Sequence, residues 1–404
     1  MKFPLWATAL SATLIVQIMS AFASATIPLL GPILTERWGL APEKIGYVSA
    51  ATSVGICWFL ACGGPLLERH GPLRTLQLGL VLIALGLACL VQPVVWVGLV
   101  GALLVGLGAA PNTPAGSQIL QRTAPAGHRT LIFSIKQAGV PLGGAFAGLL
   151  VAPLLGVFGF IGAILAVISA VIFCAVLVQV FRRPLDTERI ALNDRWARSF
   201  VSLSLLTRSA HVLAAHPTLP LLTAMGAAFS ITQACVTAFT ATYMVTQQGS
   251  SLAQAGLYVA VLLAASTVAR IFLGWLADRL GSGLLLLSVL AIAAGGAILL
   301  LLRFADADTW LIYGSMALIG ATCLGWNGVH MAELARISPN ELIGEVTSGA
   351  NLFGFVGSLC GPLMFTIVAS RTGSFSWSFL LIAGQLAAFG LFAIWRLTFH
   401  GRSR

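Results

Sequence analysis

The sequence predicts an all-α membrane protein with twelve transmembrane helices in two six-helix bundles, and three observations support this class. Of the 404 residues, 58% are hydrophobic and only 8% are charged, whereas a soluble domain has about 25% charged residues. Apolar runs of about 20 residues, which cross ~30 Å of hydrocarbon as a helix, recur along the whole chain. Loop glycines and charges also repeat between the two halves at a nearly constant offset.

Hydropathy places the twelve spans along the chain, with each end defined to within a few residues. The predicted spans are 5–31, 44–65, 73–92, 94–118, 130–154, 158–181, 219–246, 254–277, 283–303, 309–334, 344–369 and 376–397. Helices are the spanning form that fits these segments, because alternation at period two is absent and β-barrel segments are about half as long.

The net charge of +10 reflects membrane topology rather than nucleic-acid binding. With the N-terminus assigned to the cytoplasm, sixteen lysines and arginines lie at the cytoplasmic side. Only four lie at the other side, namely Arg37, Lys44, Arg303 and Arg371. This asymmetry follows the positive-inside rule and predicts that both termini are cytoplasmic. We expect a multi-pass protein of a bacterial-type cytoplasmic (inner) membrane, with no nucleic-acid partner.

A glycine-rich motif at the end of span 2 recurs at the end of span 8. Its residues are Gly64, Glu68, Arg69 and Gly71 in the first half and Gly274, Asp278, Arg279 and Gly281 in the second. Each pair is separated by 210 positions. After a slip of four residues, the register continues at an offset of 214 with Gly106 and Gly320 and with Arg122 and Arg336. Two offsets held over this distance indicate an internal duplication.

The doubled motif G-x-L-x-[DE]-R-x-G, with a basic segment between the halves, resembles the major facilitator superfamily. The resemblance covers the whole chain and implies two parallel six-helix bundles around a cavity that opens alternately to each side. It divides the chain into an N-terminal bundle, 1–181, a cytoplasmic linker, 182–218, and a C-terminal bundle, 219–404. Within the linker, Trp196 and Phe200 begin a helical spacing that predicts either a surface helix or a disordered tether.

The repeated motif is predicted to gate the cavity. Its acid, Glu68 or Asp278, is placed to meet the positive end of a neighbouring helix, and the following arginine is placed to bind carbonyl ends. These contacts would latch one state of the transporter. Pro72 and Leu73 replace the basic pair that is usual in the family, which predicts a weaker latch.

Two basic residues lie within the spans. Lys136 is seven residues into span 5, or about 10 Å deep, and Arg270 is eight residues before Asp278 in span 8, or roughly 12 Å deep. A charge inside a span costs at least ~2.5 kcal/mol on insertion scales, so each is a functional candidate. In the architecture that the resemblance implies, spans 5 and 8 are neighbours, and the two cations are predicted to share one pocket.

The substrate is predicted to supply the missing negative charge, because the sequence places no Asp or Glu deep in a span. The alternatives are that Lys136 extends to the cytoplasmic headgroups and that Arg270 caps helix ends beside the motif. Locally, Arg270-x-x-x-Gly274 resembles the monocarboxylate and oxalate:formate carriers, which implies that Arg270 binds a carboxylate. A guanidinium suits that task because its two N–H groups match both carboxylate oxygens.

Uncharged polar residues are predicted to complete the lining of the binding site, although packing between helices is the alternative for each of them. They are Gln17, Ser20 and Ser24 on span 1, Gln233, Thr237 and Thr240 on span 7, and Gln137, Tyr258, Asn327 and Asn351 elsewhere. His330 is a secondary candidate, because it is able to titrate near neutrality, and a packing role is again the alternative.

We therefore predict a secondary transporter of a small organic anion, with a carboxylate as the expected class, acting as a monomer without a metal or cofactor. Coupling to a proton or to a counter-anion is left open. The first alternative is proton-coupled multidrug or xenobiotic efflux, which the glycine-proline segment around Pro141 suggests, and the second is a receptor that transports nothing. Efflux is disfavoured because span 4 lacks the basic residue that exporters of the family often carry there.

Overall fold

The computed structural model describes residues 4–125, 128–186, 218–304, 308–338 and 343–400, and it confirms the predicted fold class. Eleven helical segments of these residues are long and apolar enough to cross a membrane, when Val95–Thr123 and Thr309–Ile337 are each counted as one segment. The longest helix, Arg129–Val178, joins predicted spans 5 and 6 across Gly159, where φ is 67° and ψ is −178°. The eleven segments therefore account for the twelve predicted spans.

The helices of the first half of the chain are α1 (Leu5–Leu29), α2 (Gly31–Arg37), α3 (Ile45–Cys62), α4 (Gly64–His70), α5 (Pro72–Leu90), α6 (Val95–Ala109), α7 (Asn112–Thr123), α8 (Arg129–Val178) and α9 (Arg182–Leu185). The helices of the second half are α10 (Leu219–Thr246), α11 (Leu252–Leu280), α12 (Gly283–Arg303), α13 (Thr309–Leu324), α14 (Asn327–Ile337), α15 (Ile343–Thr372) and α16 (Phe375–His400).

Two predicted spans are each built from two consecutive helices, so that α6 with α7 and α13 with α14 each form one segment long enough to cross a membrane. Span 4 is interrupted between α6 and α7 at Ala110 and Pro111, since a proline removes an N–H donor and crowds the preceding turn. Span 10 is interrupted between α13 and α14 at Gly325. No proline lies at the second interruption, where Gly325 instead approaches Leu273 and Ala269 of α11 closely.

By their contacts, the residues form two compact units, Met1–Leu40 with Ala51–Leu203 and Ala41–Ala50 with Ser204–Arg404. In the first unit, α1 packs along α8 and α5 packs along α6. In the second unit, α10 packs along α15, α12 along α16 and α11 along α13. The predicted linker lies largely outside the described residues, as do Trp196 and Phe200, so its bounds and its surface helix stay predictions.

Backbone conformation repeats at the offsets that the sequence predicts. The glycines with positive φ among the described residues fall into three pairs, Gly39 with Gly249, Gly71 with Gly281 and Gly159 with Gly373. The first two pairs are 210 residues apart and the third is 214 apart. Residues other than glycine rarely adopt this conformation, so the duplication extends to the positions where the chain turns.

Close helix contacts repeat in the same register. Gly106 of α6 lies against the carbonyl oxygen of Thr52, and Gly320 of α13 lies against the carbonyl oxygen of Leu262. Both neighbours are main-chain atoms of a packed helix, which cannot rotate away as the end of a side chain can. Small residues at such points allow membrane helices to approach closely.

We expect Gly106→Ala and Gly320→Ala each to destabilise the fold, because the added methyl group would overlap a main-chain carbonyl. Overpacking of this kind typically costs about 1–3 kcal/mol. Gly296→Ala is the matched control, since the space around Gly296 is open to 4 Å. Thermal unfolding in detergent measures the effect, and equal melting temperatures for all three variants would contradict the assigned contacts.

Candidate functional site

Lys136 is enclosed within the first unit. Its side chain on α8 is 2% exposed, and its Nζ donates a hydrogen bond of 2.7 Å to the main-chain carbonyl of Asn112 on α7. Gly116, one turn further along α7, leaves room for the lysine stem, because a Cβ there would lie 2.8 Å from Lys136 Cε. The lysine does not extend to the headgroups in this structure, so the snorkelling alternative is not the conformation observed.

The carbonyl that Lys136 reaches belongs to Asn112, the first residue of α7. Asn112 is the first residue after Pro111, and its own amide Nδ2 donates to the carbonyl of Ala109 at 3.0 Å. Its Oδ1 is buried and has no hydrogen-bond partner among the described residues. Sequence reasoning overlooked Asn112, although a polar residue directly after a proline inside a span is a recognisable signal.

Arg270 is the basic residue that the sequence places inside a span of the second unit. Its residue is partly exposed, whereas its Nε is buried and lacks a hydrogen-bond partner within the described part of the chain. The salt bridges between described residues join Arg182 to Asp186 and Arg336 to Glu333, and neither involves Lys136 or Arg270. The predicted convergence of Lys136 and Arg270 stays a prediction.

A polar cleft of about 90 Å³ lies within the second unit, between α10, α14 and α15. We call it the polar cleft. It brings together Gln233, Asn327 and Asn351, which the sequence predicted as substrate ligands, with His330, the secondary candidate. Its other lining residues are Gly226, Ser230, Trp326, Ala350, Gly354, Phe355 and Ser358. Each of these side chains is uncharged, if His330 is neutral.

Trp326 forms a buried wall of the polar cleft. The ring is stacked on Phe229 with centroids 5.1 Å apart, and His330 contacts it edge-on at 5.3 Å. The indole Nε1 donates to Gln233 Oε1 at 3.0 Å, which fixes the amide of Gln233. With 4% exposure, Trp326 positions its neighbours but offers no free ring face to a ligand.

His330 has one ring nitrogen bonded and one without a partner. Its Nε2 lies 2.9 Å from the carbonyl oxygen of Leu222 on α10. A carbonyl oxygen only accepts, so Nε2 carries a hydrogen, and in the neutral ring Nδ1 is then an acceptor. Nδ1 is buried and has no hydrogen-bond partner among the residues that the structure describes.

Lys136 and His330 are buried basic side chains that lie on different helices of the repeat. At the offset of 214, Gly116 corresponds to His330 and Lys136 corresponds to Ala350. In the first unit, the basic residue on α8 fills the space at a glycine of α7. In the second unit, the basic residue lies on α14, and α15 carries the alanine beside it at the polar cleft. At this pair of neighbouring helix positions, each unit therefore has one basic side chain, Lys136 in the first and His330 in the second.

The remaining predicted ligands are not gathered into the polar cleft. Gln17 is buried on α1, packs against Gly139 and has an unpartnered Oε1 within the described residues. Gln137 is exposed on α8. Tyr258 is 1% exposed, its hydroxyl accepts from Gln254 Nε2 at 3.0 Å, and its ring packs against Tyr313. Packing accounts for Tyr258, whose role as a ligand stays a prediction.

Of the other polar residues predicted on spans 1 and 7, some are hydrogen-bonded within their own helix and one has no partner among the described residues. Thr237 and Thr240 donate to carbonyls of their own helix, those of Gln233 and Val236, which is an ordinary way for a membrane helix to satisfy a hydroxyl. Ser20 is buried, and the Ser24 hydroxyl is buried without a partner among the described residues.

The helix that follows the glycine motif is capped by a carboxylate from outside the motif. In the first unit, the main-chain N–H groups of Leu73 and Arg74 donate to Asp186 at 2.8 Å and 3.1 Å. Asp186 is 2% exposed at its side chain and pairs with Arg182. Glu68, the acid that was predicted to meet a helix end, is exposed. Asp186, which the sequence assigned to the linker, lies at the helix end where the motif acid was expected.

In the second unit, an acid from a different helix lies at the equivalent position. Glu333 of α14 is beside Gly283, which corresponds to Leu73 and begins α12, because a Cβ at Gly283 would lie 2.9 Å from Glu333 Oε2. Glu333 also forms a two-bond ion pair with Arg336, at 2.6 Å and 2.7 Å. A carboxylate is stabilised at a helix N-terminus by the free N–H groups and the helix dipole. Each unit therefore places an acid that is distant in sequence at this helix end.

The other motif residues lie in or beside α4 and the last turns of α11. Gly71 and Gly281 adopt positive φ, and Gly71 leaves room for the side chain of Asp186. Arg279 is exposed with its guanidinium 4.3 Å from the ring centroid of Trp275. Gly64 and Gly274 have open space around them. The gating role of these residues, including Arg69 and Asp278, stays a prediction.

The chain matches the sequence profile of the Major Facilitator Superfamily over residues 13–334. Among curated relatives, a probable galactarate/D-glucarate transporter, GudP of Escherichia coli strain K12, is 26% identical over 89% of this chain and 86% of its own length. The 4-hydroxybenzoate transporter PcaK of Pseudomonas aeruginosa is 27% identical over 47% of this chain and 42% of its own length.

Solved structures resemble the chain in fold. A peptide transporter of the POT type, crystallised with sulfate, superposes with a TM-score of 0.76 over 98% of this chain and 95% of its own. Its sequence identity of 15% shows a shared fold and carries no information about the ligand.

We expect Asp186→Ala to destabilise the protein by about 1–2 kcal/mol, because two helix N–H groups lose their acceptor. Asp186→Asn should cost less, since its amide oxygen still accepts one of the two bonds. Asp308→Ala is the control, because Asp308 precedes α13 without forming a side-chain cap. Thermal unfolding of the three variants measures the difference, and an equal loss at Asp308 would show that the cap is not the cause.

Proposed function

This chain belongs to the major facilitator superfamily, and from that premise we propose that it is a secondary transporter of small organic anions, with carboxylates as the substrate class. It is a multi-pass membrane protein and a transporter rather than an enzyme. The proposed topology, from the positive-inside rule, places both termini in the cytoplasm.

The observation that carries the proposal is a pair of basic side chains without acidic partners. The chain has 22 lysines and arginines, and the proposed topology places twenty of them at one membrane side or the other. The remaining two are Lys136 and Arg270, which lie within spans. Lys136 bonds to a neutral carbonyl, and the buried Nε of Arg270 has no partner among the described residues. Leaving a buried charge unpaired is strongly unfavourable, so an anion that enters would relieve this cost in both units.

The two cations are suited to different parts of that task. A guanidinium presents two parallel N–H groups, so Arg270 is proposed to grip a carboxylate through both of its oxygens. An ammonium is a compact charge with three donors, of which Lys136 commits one to Asn112. The remaining donors of Lys136 are proposed to recognise the anion, once the bound state brings it within reach.

The names of the relatives support the same class. Galactarate, D-glucarate and 4-hydroxybenzoate, for which two of the relatives are named, are carboxylate anions. They differ in their uncharged parts, one kind being a hydroxylated chain and the other an aromatic ring. The charged group is the feature that they share, which is the group that the two basic residues are proposed to bind.

Transport is proposed to follow alternating access, which is general in the superfamily. Anion binding neutralises the two basic groups, which lowers the cost of the conformations in which they are shielded from water. The driving force is proposed to be the substrate gradient, an exchanged anion or a proton that accompanies the substrate. The protein is expected to act as a monomer.

We expect Lys136→Met and Arg270→Gln each to reduce uptake of D-glucarate or 4-hydroxybenzoate into proteoliposomes by at least about tenfold, because each removes a charged hydrogen bond. Arg270→Lys should retain part of the uptake, since it keeps the charge but loses the paired donors. Arg303→Gln is the control, because Arg303 is an exposed cation at the end of α12. Gel filtration and thermal unfolding report whether each variant is folded.

Normal carboxylate uptake by both folded variants would refute the proposal. If the same preparations also expelled cationic amphiphilic drugs against a proton gradient, multidrug efflux would replace it. Absence of any flux, with ligand binding alone, would instead identify a receptor.

We further expect Lys136 and Arg270 to act on the same anion, so that their effects on binding are not additive. The double variant Lys136→Met/Arg270→Gln should lose about as much D-glucarate affinity as the more damaging single variant. Isothermal titration of the purified variants measures the coupling. Additive losses would assign the two cations to independent roles.

A further inference from the structure

His330, which lines the polar cleft, carries an acceptor without a partner in the described part of the chain. Nδ1 of His330 is buried without a partner among the described residues, while Nε2 is held by the carbonyl of Leu222. An unsatisfied buried acceptor is costly, and the cost is removed by a group that can donate a hydrogen bond. A carboxylate anion does not pair with Nδ1 of the neutral ring, because it has acceptors and no donor.

The groups around His330 match the uncharged part of a substrate. Asn327 and Asn351 each present an amide that both donates and accepts, and Ser230 adds a hydroxyl. A hydroxyl group also donates and accepts, so a hydroxylated chain can pair with all of these residues. With no lysine, arginine or acid in its lining, the cleft is unsuited to the charged end of an anion.

Size and shape disfavour an aromatic ring at this position. An apolar cavity of about 150 Å³ is known to hold benzene in another protein, whereas this cleft measures about 90 Å³ and is lined by polar groups. Stacking on Trp326 is also prevented, because Phe229 and His330 already cover the indole. Phe355 remains as an apolar wall, against which the C–H groups of a chain can pack.

From these observations we infer that the polar cleft binds hydroxyl groups of the substrate, with Nδ1 of His330 accepting from one of them. The substrate class is then a carboxylate whose carbon chain carries hydroxyl groups, in preference to an aromatic or unsubstituted carboxylate. The inference rests on the proposed function, because it concerns the neutral part of the same transported anion. His330 acts as a specificity-determining residue.

Matched pairs of ligands test this directly. D-glucarate and adipate share one carbon chain and differ in hydroxyl groups, as do gluconate and hexanoate. We expect purified protein to bind the hydroxylated member of each pair about tenfold more tightly, since the other member leaves cleft groups unpaired. Thermal shift and competition for uptake in proteoliposomes measure the ratio, with 4-hydroxybenzoate as the aromatic comparison.

Two amide substitutions separate the nitrogens of His330. His330→Gln places its amide near the position of Nε2 and can still donate to Leu222, but it offers no acceptor at Nδ1. His330→Asn keeps an acceptor near Nδ1 and loses the bond to Leu222. We expect His330→Gln to reduce the ratio of affinities within each pair to near one, and His330→Asn to retain the ratio with a lower melting temperature.

His70→Gln is the control, because His70 bonds to the carbonyl of Leu66 in the first unit and lies outside the cleft. Equal affinity of the unaltered protein for both members of a pair, or tighter binding of 4-hydroxybenzoate than of D-glucarate, would overturn the inference and leave the proposed function standing. A ratio unchanged by His330→Gln would overturn the role of His330. Failure to bind or transport any of these carboxylates would overturn both.

Discussion

The cost of leaving a polar or charged group unpaired inside an apolar helical bundle is the constraint on which this structure depends. The ammonium of Lys136 donates to the main-chain carbonyl of Asn112, beside which Gly116 leaves room for the lysine stem. Acids from distant segments lie at the helix ends behind the glycine motif. Among the buried groups that have no partner within the described residues, those of Arg270 and His330 are the ones to which we assign the substrate.

Duplication explains both what the two units share and how they differ. Turn glycines and close helix contacts recur at offsets of 210 and 214, because these positions are constrained by backbone geometry. Side chains are free to diverge where a different partner solves the same physical problem. The helix end after the motif is capped by Asp186 in one unit and lies beside Glu333 in the other, and the buried basic group moves from Lys136 to His330.

A division of tasks follows for the substrate that we propose. Charge would be recognised by Lys136 and Arg270, which have no acidic partner among the described residues and therefore favour any small carboxylate. The uncharged remainder would be recognised in the polar cleft, where hydrogen-bond groups discriminate more sharply than apolar walls do. This separation allows related carriers to keep the anionic requirement and to change the rest of the molecule that they accept.

The sequence by itself determined the class of the fold, the number of spans, the duplication and the presence of Lys136 and Arg270, because hydropathy and repeat spacing depend on residue order alone. It also named Gln233, Asn327, Asn351 and His330, but in a larger set that included residues lying outside the polar cleft. Tertiary structure decided which of these meet, since helices distant in sequence form the polar cleft. Tertiary structure also decided the partners of buried groups, such as Asn112 for Lys136 and Asp186 for a helix end. These residues are distant in sequence, so no local sequence pattern shows that they meet.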